Sequence, residues 1–144
     1  MLSIMRVALV REGALPISNC VIRSAEDAFH ILNAFLADAD REMVVVLLLS
    51  TKHEVIGLNT VSIGSLDASI VHPREVLKPA ILANAGAVLV GHNHPSGDPT
   101  PSPEDVAVTK RLDEACRIVG IELVDHLIIG HGQYVSLRAE RYFC

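Results

Sequence analysis

The sequence predicts an α+β domain, an α/β sandwich in which helices flank a mixed β-sheet. Three observations carry that expectation. Segments with helical apolar spacing are interleaved with apolar runs of strand length. The 144 residues contain no repeat, low-complexity tract or dividing linker, which suits one domain over 1–144. Half of the residues are apolar, only 3% are aromatic and Trp is absent, so the core is aliphatic.

Residues 4–10 (IMRVALV) read as a first strand, within a strand and lead-in over 1–20 that turns near Gly13 and Pro16. Ser24 has the chemistry of an N-cap, and Ala25, Ala28, Phe29, Leu32, Phe35 and Leu36 recur at helical spacing, giving a helix over 25–38. Residues 43–49 (MVVVLLL) are apolar on both faces, as in a central strand covered on two sides. Glu54 to Ile63 is its expected antiparallel partner, ending at Gly64. Pro73 suits the first turn of a second helix over 74–84. A buried strand follows at 87–92, then the loop HNHPSGDPTPSPED and a third helix over 103–119. Strands at 121–129 and 133–137 complete the pattern.

The bulk properties exclude several function classes. Mean hydropathy is +0.38, yet the longest apolar run, Met43–Leu49, is far shorter than the ~20 residues a membrane span needs. Arg6, Arg11 and Glu12 interrupt any signal-peptide core, so a cytoplasmic protein without membrane partners is expected. Cys20, Cys116 and Cys144 are scattered and form no C-x-x-C pair, which argues against a disulfide framework and a thiolate metal site. The formal net charge is −5 and Lys110–Arg111 is the only adjacent basic pair, so direct nucleic-acid binding is disfavoured. The aliphatic bias suggests some apolar surface and a homodimer.

The chemistry concentrates in residues 88–105. His92 and His94 are two apart at a strand end, where the period of two puts both imidazoles on one face. Pro95, Pro99, Pro101 and Pro103, with Gly97, make a stiff loop able to return Asp105 to the same point. Two imidazoles and one carboxylate, with a fourth position open, fit a catalytic rather than a structural zinc set. The alternative is a helix start: Ser102 as N-cap, Pro103 at the first helical position and Asp105 in the capping-box place. In that case His92 and His94 are polar residues where a strand meets solvent.

His92-Asn93-His94, seven residues, Ser102, two residues and Asp105 spell H-x-H-x(7)-S-x(2)-D. This resembles the signature of the JAMM (MPN-plus) metalloproteases. VHPREV at 71–76, GHNHPSGDPTPSPED at 91–105, TKRL at 109–112 and DHLIIG at 125–130 resemble the RadC branch of that superfamily more closely. The resemblance covers roughly residues 20–143 and places an MPN/JAB domain at 21–143. It implies an MPN/JAB-like, cytidine-deaminase-like fold and zinc held by His92, His94 and Asp105. It also implies that zinc lowers the pKa of a coordinated water towards ~7 and polarises the substrate carbonyl. Ser102 would stabilise the oxyanion beside the metal, in competition with its capping role. Glu42, directly before MVVVLLL, matches the family's general base. On position alone Glu42 also reads as a solvated charge at a strand end. Glu54 and Glu75 are weaker alternatives, Glu75 facing solvent or pairing with Arg74. Asp125 and His126 could orient a ligand from behind, but a packed or surface histidine is the favoured reading of His126. His30, His53, His72 and His131 lack partners at ligand spacing.

Other zinc patterns are absent. His53-Glu54 is followed by Val55-Ile56-Gly57, so there is no H-E-x-x-H, and the deaminase P-C-x-x-C is missing. An HNH nuclease spreads its three residues over a ββα unit, unlike the adjacent His92-Asn93-His94. The functional expectation is a zinc-dependent peptidase or isopeptidase acting on a peptide or protein substrate. The alternatives are a non-catalytic binding or scaffold module and, more weakly, the DNA-repair association that the RadC resemblance carries.

Overall fold

The computed structural model describes residues 1–18, 20–64 and 71–143; Cys144 lies outside them. Its elements run α1 (Ala25–Leu36), β1 (Met43–Leu49), β2 (Val55–Ile63), α2 (Pro73–Leu82), β3 (Ala87–Asn93), α3 (Pro103–Val119), β4 (Glu122–Ile129) and β5 (Tyr134–Ser136). The five strands form one mixed sheet in the order β2-β1-β3-β4-β5. Neighbours are antiparallel except β3 and β4, which are parallel. A parallel pair needs a crossover, and α3 supplies it. This is the expected α+β sandwich.

Strand alternation explains the layering. Val44, Val46 and Leu48 of β1, with Val88 and Val90 of β3, pack into one core with α2 and α3. Val45, Leu47 and Leu49, with Ala87 and Leu89, pack into a second core with Ala28, Ile31, Leu32 and Leu36 of α1. The apolar run of 43–49 is thus a strand buried on both faces. Each such Val or Leu contributes about 1.5–3 kcal/mol relative to an exposed one. Gly91 sits where α1 crosses β3, and a Cβ there would come within 2.6 Å of Leu32 Cδ1.

The helix ends follow local chemistry. Ser24 caps α1 by accepting from Asp27 N. Pro73 begins α2, which stops short of residue 84 because Asn84 takes a left-handed conformation with φ 54. α3 starts with a complete capping box between Ser102 and Asp105 and ends at Gly120, φ 84.

One expectation fails. Residues 4–10 form no strand: Ile4 is 100%, Val7 72% and Val10 83% exposed. β-propensity only says that a segment fits a pleated, half-buried surface. Here the segment stays exposed, and the chain first joins the sheet through the Val21–Glu54 bridge. Among the described residues no helix is long and apolar enough to cross a membrane.

Candidate metal centre

His92 and Asn93 close β3, and His94 follows immediately. In register, His92 lies opposite Val44 on β1 and Ile128 on β4, so its face is that of the α2/α3 core. The following loop returns the chain to the same face. It is pinned to the end of β4 by His94 N donating to Ile129 O at 2.8 Å and His131 N donating to Gly97 O at 3.3 Å. Gly97 takes φ +91, and a Cβ on Gly130 would lie 2.3 Å from Gly97 O, so both positions need glycine. α3 then begins with its first turn over the strand ends.

The result is a convergence of three side chains. His92 Nε2 lies 3.0 Å from His94 Nε2. Asp105 Oδ1 is 3.2 Å from His92 Nε2, and Oδ2 is 3.4 Å from His94 Nε2. Among the described residues these three form the one group able to hold a metal ion. Side-chain exposure is 1% for His92, 2% for Asp105 and 15% for His94, so the group is approached from the His94 side. His94 Nδ1 lies 2.8 Å from Asp98 O. A carbonyl can only accept, so Nδ1 carries the hydrogen and Nε2 turns a lone pair towards its neighbours. The donor set therefore suits a cation.

The two readings of Asp105 turn out to be compatible. Its Oδ2 accepts from Ser102 N at 2.7 Å, and Ser102 Oγ accepts from Asp105 N at 3.1 Å. The same carboxylate caps α3 and faces both imidazoles. Burial pushes the Asp105 carboxyl up, but hydrogen bonding and charge from His92, with the Ser102 bonds, outweigh it and hold the group well below its usual range. The hydroxyl of Ser102 caps through its oxygen alone, which leaves its proton available to donate. Capping and a second role for Ser102 thus do not exclude each other.

Glu42 stands one position before β1, two before Val44, so alternation assigns it to the His92 face. Its backbone is held closely. Met43 N donates to Asn93 Oδ1 at 2.8 Å, Asn93 Nδ2 donates to Arg41 O at 3.0 Å, and Gly64 N donates to Glu42 O at 2.6 Å. Asn93, the residue between the two histidines, therefore clamps both neighbours of Glu42. The other acids lie apart from the group: Glu54 is exposed at the start of the β2 hairpin, and Glu75 pairs with Lys78 at 3.2 Å and Arg74 at 3.9 Å on α2.

His126 is packed, as the favoured expectation has it, and it also stands behind His92, as the alternative has it. It is fully buried, with Nε2 3.0 Å from His92 Nδ1. Its Nδ1 lies 2.6 Å from Thr109 Oγ1, which donates to Asp105 O at 2.7 Å. Burial, reinforced by His92, pushes the His126 imidazole well below its usual range. Asp125 points elsewhere, accepting from Ser136 Oγ at 2.5 Å, His126 N at 2.7 Å and Arg138 N at 3.1 Å. Sequence reading missed Thr109, although it sits one helical turn after Asp105, the spacing that shares a helix face. It missed Asn93 because its partners lie on another strand. His53 pairs with Glu122 at 3.2 Å and, among the described residues, belongs to no group of metal-ligand type.

Fold and site together define a three-layer α+β domain with a His-His-Asp group poised to hold a metal ion. A sequence model of the RadC-like JAB domain family matches residues 22–142, and the chain belongs to that family. It is 49% identical over 123 residues to the UPF0758 protein of Desulfitobacterium hafniense (strain DSM 10664 / DCB-2), covering 85% of this chain and 54% of the relative. It is 51% identical over 123 residues to a UPF0758 protein of Shouchella clausii (strain KSM-K16), with the same coverage of 85% and 54%. It is 54% identical over 122 residues to one of Geobacillus sp. (strain WCH70), covering 85% and 54%. The chain spans about half the length of these curated relatives.

Proposed function

We propose that this domain is a zinc-dependent metallohydrolase that cleaves peptide or isopeptide bonds, with zinc held by His92, His94 and Asp105. The observation that carries the reading is the mutual spacing of the three donor atoms, 3.0, 3.2 and 3.4 Å. Ligands about 2.0–2.1 Å from a tetrahedral ion sit roughly 3.3–3.4 Å apart, so little movement separates this arrangement from a zinc shell. Three protein ligands, none of them thiolate, leave the fourth position for water or substrate, as in catalytic sites. Zinc bound there supplies Lewis acidity, polarising a carbonyl and bringing the pKa of water to about 7.

The remaining steps belong to side chains of this chain. Glu42 takes the proton from the attacking water and passes it to the leaving amine. Its fixed backbone and its place on the His92 face support that role. Ser102 donates its free hydroxyl hydrogen to the oxyanion while its oxygen continues to cap α3. Asp105 holds both the ion and the helix start, so the metal and the hydroxyl keep a fixed relation.

The substrate in this reading is a peptide or protein, with neither nucleic acid nor membrane as a partner. A cytoplasmic setting and a homodimer through exposed apolar residues such as Ile4 and Val10 belong to the same proposal. Metal analysis and activity profiling test it together. The purified protein should carry about one zinc per chain, and it should cleave members of a peptide or isopeptide-linked library in a chelator-sensitive manner. Zinc-loaded protein that cleaves nothing in either library would reduce the reading to a metal-binding module.

A further inference from the structure

We propose that Thr109 and His126 are positioning residues that fix the tautomer of His92, holding its hydrogen on Nδ1 and its Nε2 lone pair towards the metal. The inference rests on the zinc reading above and extends it to two residues that touch neither metal nor substrate.

The hydrogen bonds have one consistent direction. The Asp105 carbonyl can only accept, and Thr109 Oγ1 donates to it at 2.7 Å. That commits the single hydroxyl hydrogen, so Thr109 Oγ1 acts as the acceptor at its other contact, 2.6 Å from His126 Nδ1. His126 therefore carries its hydrogen on Nδ1 and presents a bare Nε2 to His92 Nδ1 at 3.0 Å. His92 donates from Nδ1, so Nε2, 3.0 Å from His94 Nε2 and 3.2 Å from Asp105 Oδ1, is the nitrogen left to face the metal. A ligating histidine is commonly held by a partner at its other ring nitrogen. Here the partner is a second histidine, oriented in turn by the helix that carries Asp105.

The fold goes out of its way to place His126 there. Val88 pairs with Leu123, but Leu89 pairs with Asp125, so Val124 is an extra residue in β4. Leu123 faces the α2/α3 core, and regular alternation from it would send residue 126 to the opposite face. The bulge reverses the phase, so that His126 pairs with Val90 on the metal face. Backbone groups around the bulge are satisfied by dedicated side chains. Arg138 donates from Nε to Val124 O and from Nη2 to Leu123 O, and Asp125 Oδ1 accepts from His126 N. Thr109 and His126 are both 0% exposed. The polar pair is what connects two metal ligands.

The test compares wild type with Thr109→Val, Thr109→Ser and His126→Phe, each first checked for a cooperative thermal transition. Zinc affinity is measured by competition against a chromophoric chelator. The tautomer of His92 is read in zinc-free protein by long-range proton–nitrogen correlation. Thr109→Val, which keeps the shape and removes the oxygen, should weaken zinc binding about 10–100-fold, with Thr109→Ser restoring it. Zinc-free wild type should carry a hydrogen on Nδ1 of His92, and Thr109→Val should lose that preference. Unchanged zinc affinity in a folded Thr109→Val protein, or no hydrogen on Nδ1 of His92 in the wild type, would overturn the relay. A wild type that binds no zinc sinks the metallohydrolase reading instead, and the nitrogen spectra still decide the relay.

Discussion

Asn93 Oδ1 accepts a hydrogen bond from Met43 N at 2.8 Å, tying the end of β3 to the start of β1 beside the metal group. Its Nδ2 reaches Arg41 O, so the segment bearing Glu42 is referenced directly to the strand bearing His92. A base in hydrolysis must be held to within tenths of an ångström of its proton. Glu42→Gln should keep zinc and fold while lowering the hydrolytic rate by about 10²–10⁴-fold. Asn93→Ala should also keep zinc but lose part of the rate. Full turnover by Glu42→Gln would remove Glu42 as the base.

The donor set is tested by removing one ligand at a time. His92→Ala, His94→Ala and Asp105→Ala should each lose stoichiometric zinc, measured by elemental analysis after dialysis. Undiminished zinc in a His92/His94 double substitution would show that the metal sits elsewhere.

Ser102 has two roles that different substitutions separate. Ser102→Ala removes the cap and should cost about 1 kcal/mol in urea unfolding, whereas Ser102→Gly should cost only a few tenths. Both lose the hydroxyl and should lose activity alike. Activity that follows stability, falling for Ala but not Gly, would leave Ser102 as a cap only.

Asp125 predicts a pH effect. Burial raises its carboxyl pKa, although bonds from Ser136, Arg138 N and His126 N offset part of the rise. A carboxyl with a raised folded pKa contributes stability that is complete below its ordinary value of 3.8 and is lost as pH rises through the folded value. Asp125→Asn has no such loss. The stability of the variant minus that of wild type should therefore increase from pH 3 to pH 7 in urea titrations. A difference that shrinks with pH would contradict the raised carboxyl.

α3 was legible in the sequence from end to end because its signals are local. Ser102 and Pro103 start it, Gly120 stops it, and each acts through atoms a few residues away. β1 was equally legible, since a run apolar on both faces has one economical place in a layered fold. Strand periodicity put His92 and His94 on one face, and the family resemblance of their spacing with Asp105 gave them a role. Residues 4–10 have the composition of a strand, yet strand formation requires a partner edge that composition does not specify.

By itself the sequence determined the layered α+β class and the ends of α3, because periodicity and capping are written within short windows. His92, His94 and Asp105 were singled out together only through the resemblance that their spacing carries. Tertiary structure alone decided that Asp105 caps α3 while facing both imidazoles, that Asn93 clamps the Glu42 segment, and that His126 stands behind His92. Each depends on a partner from a distant part of the chain. For His126 it also depends on one extra residue in β4, which turns a side chain from one face of the sheet to the other.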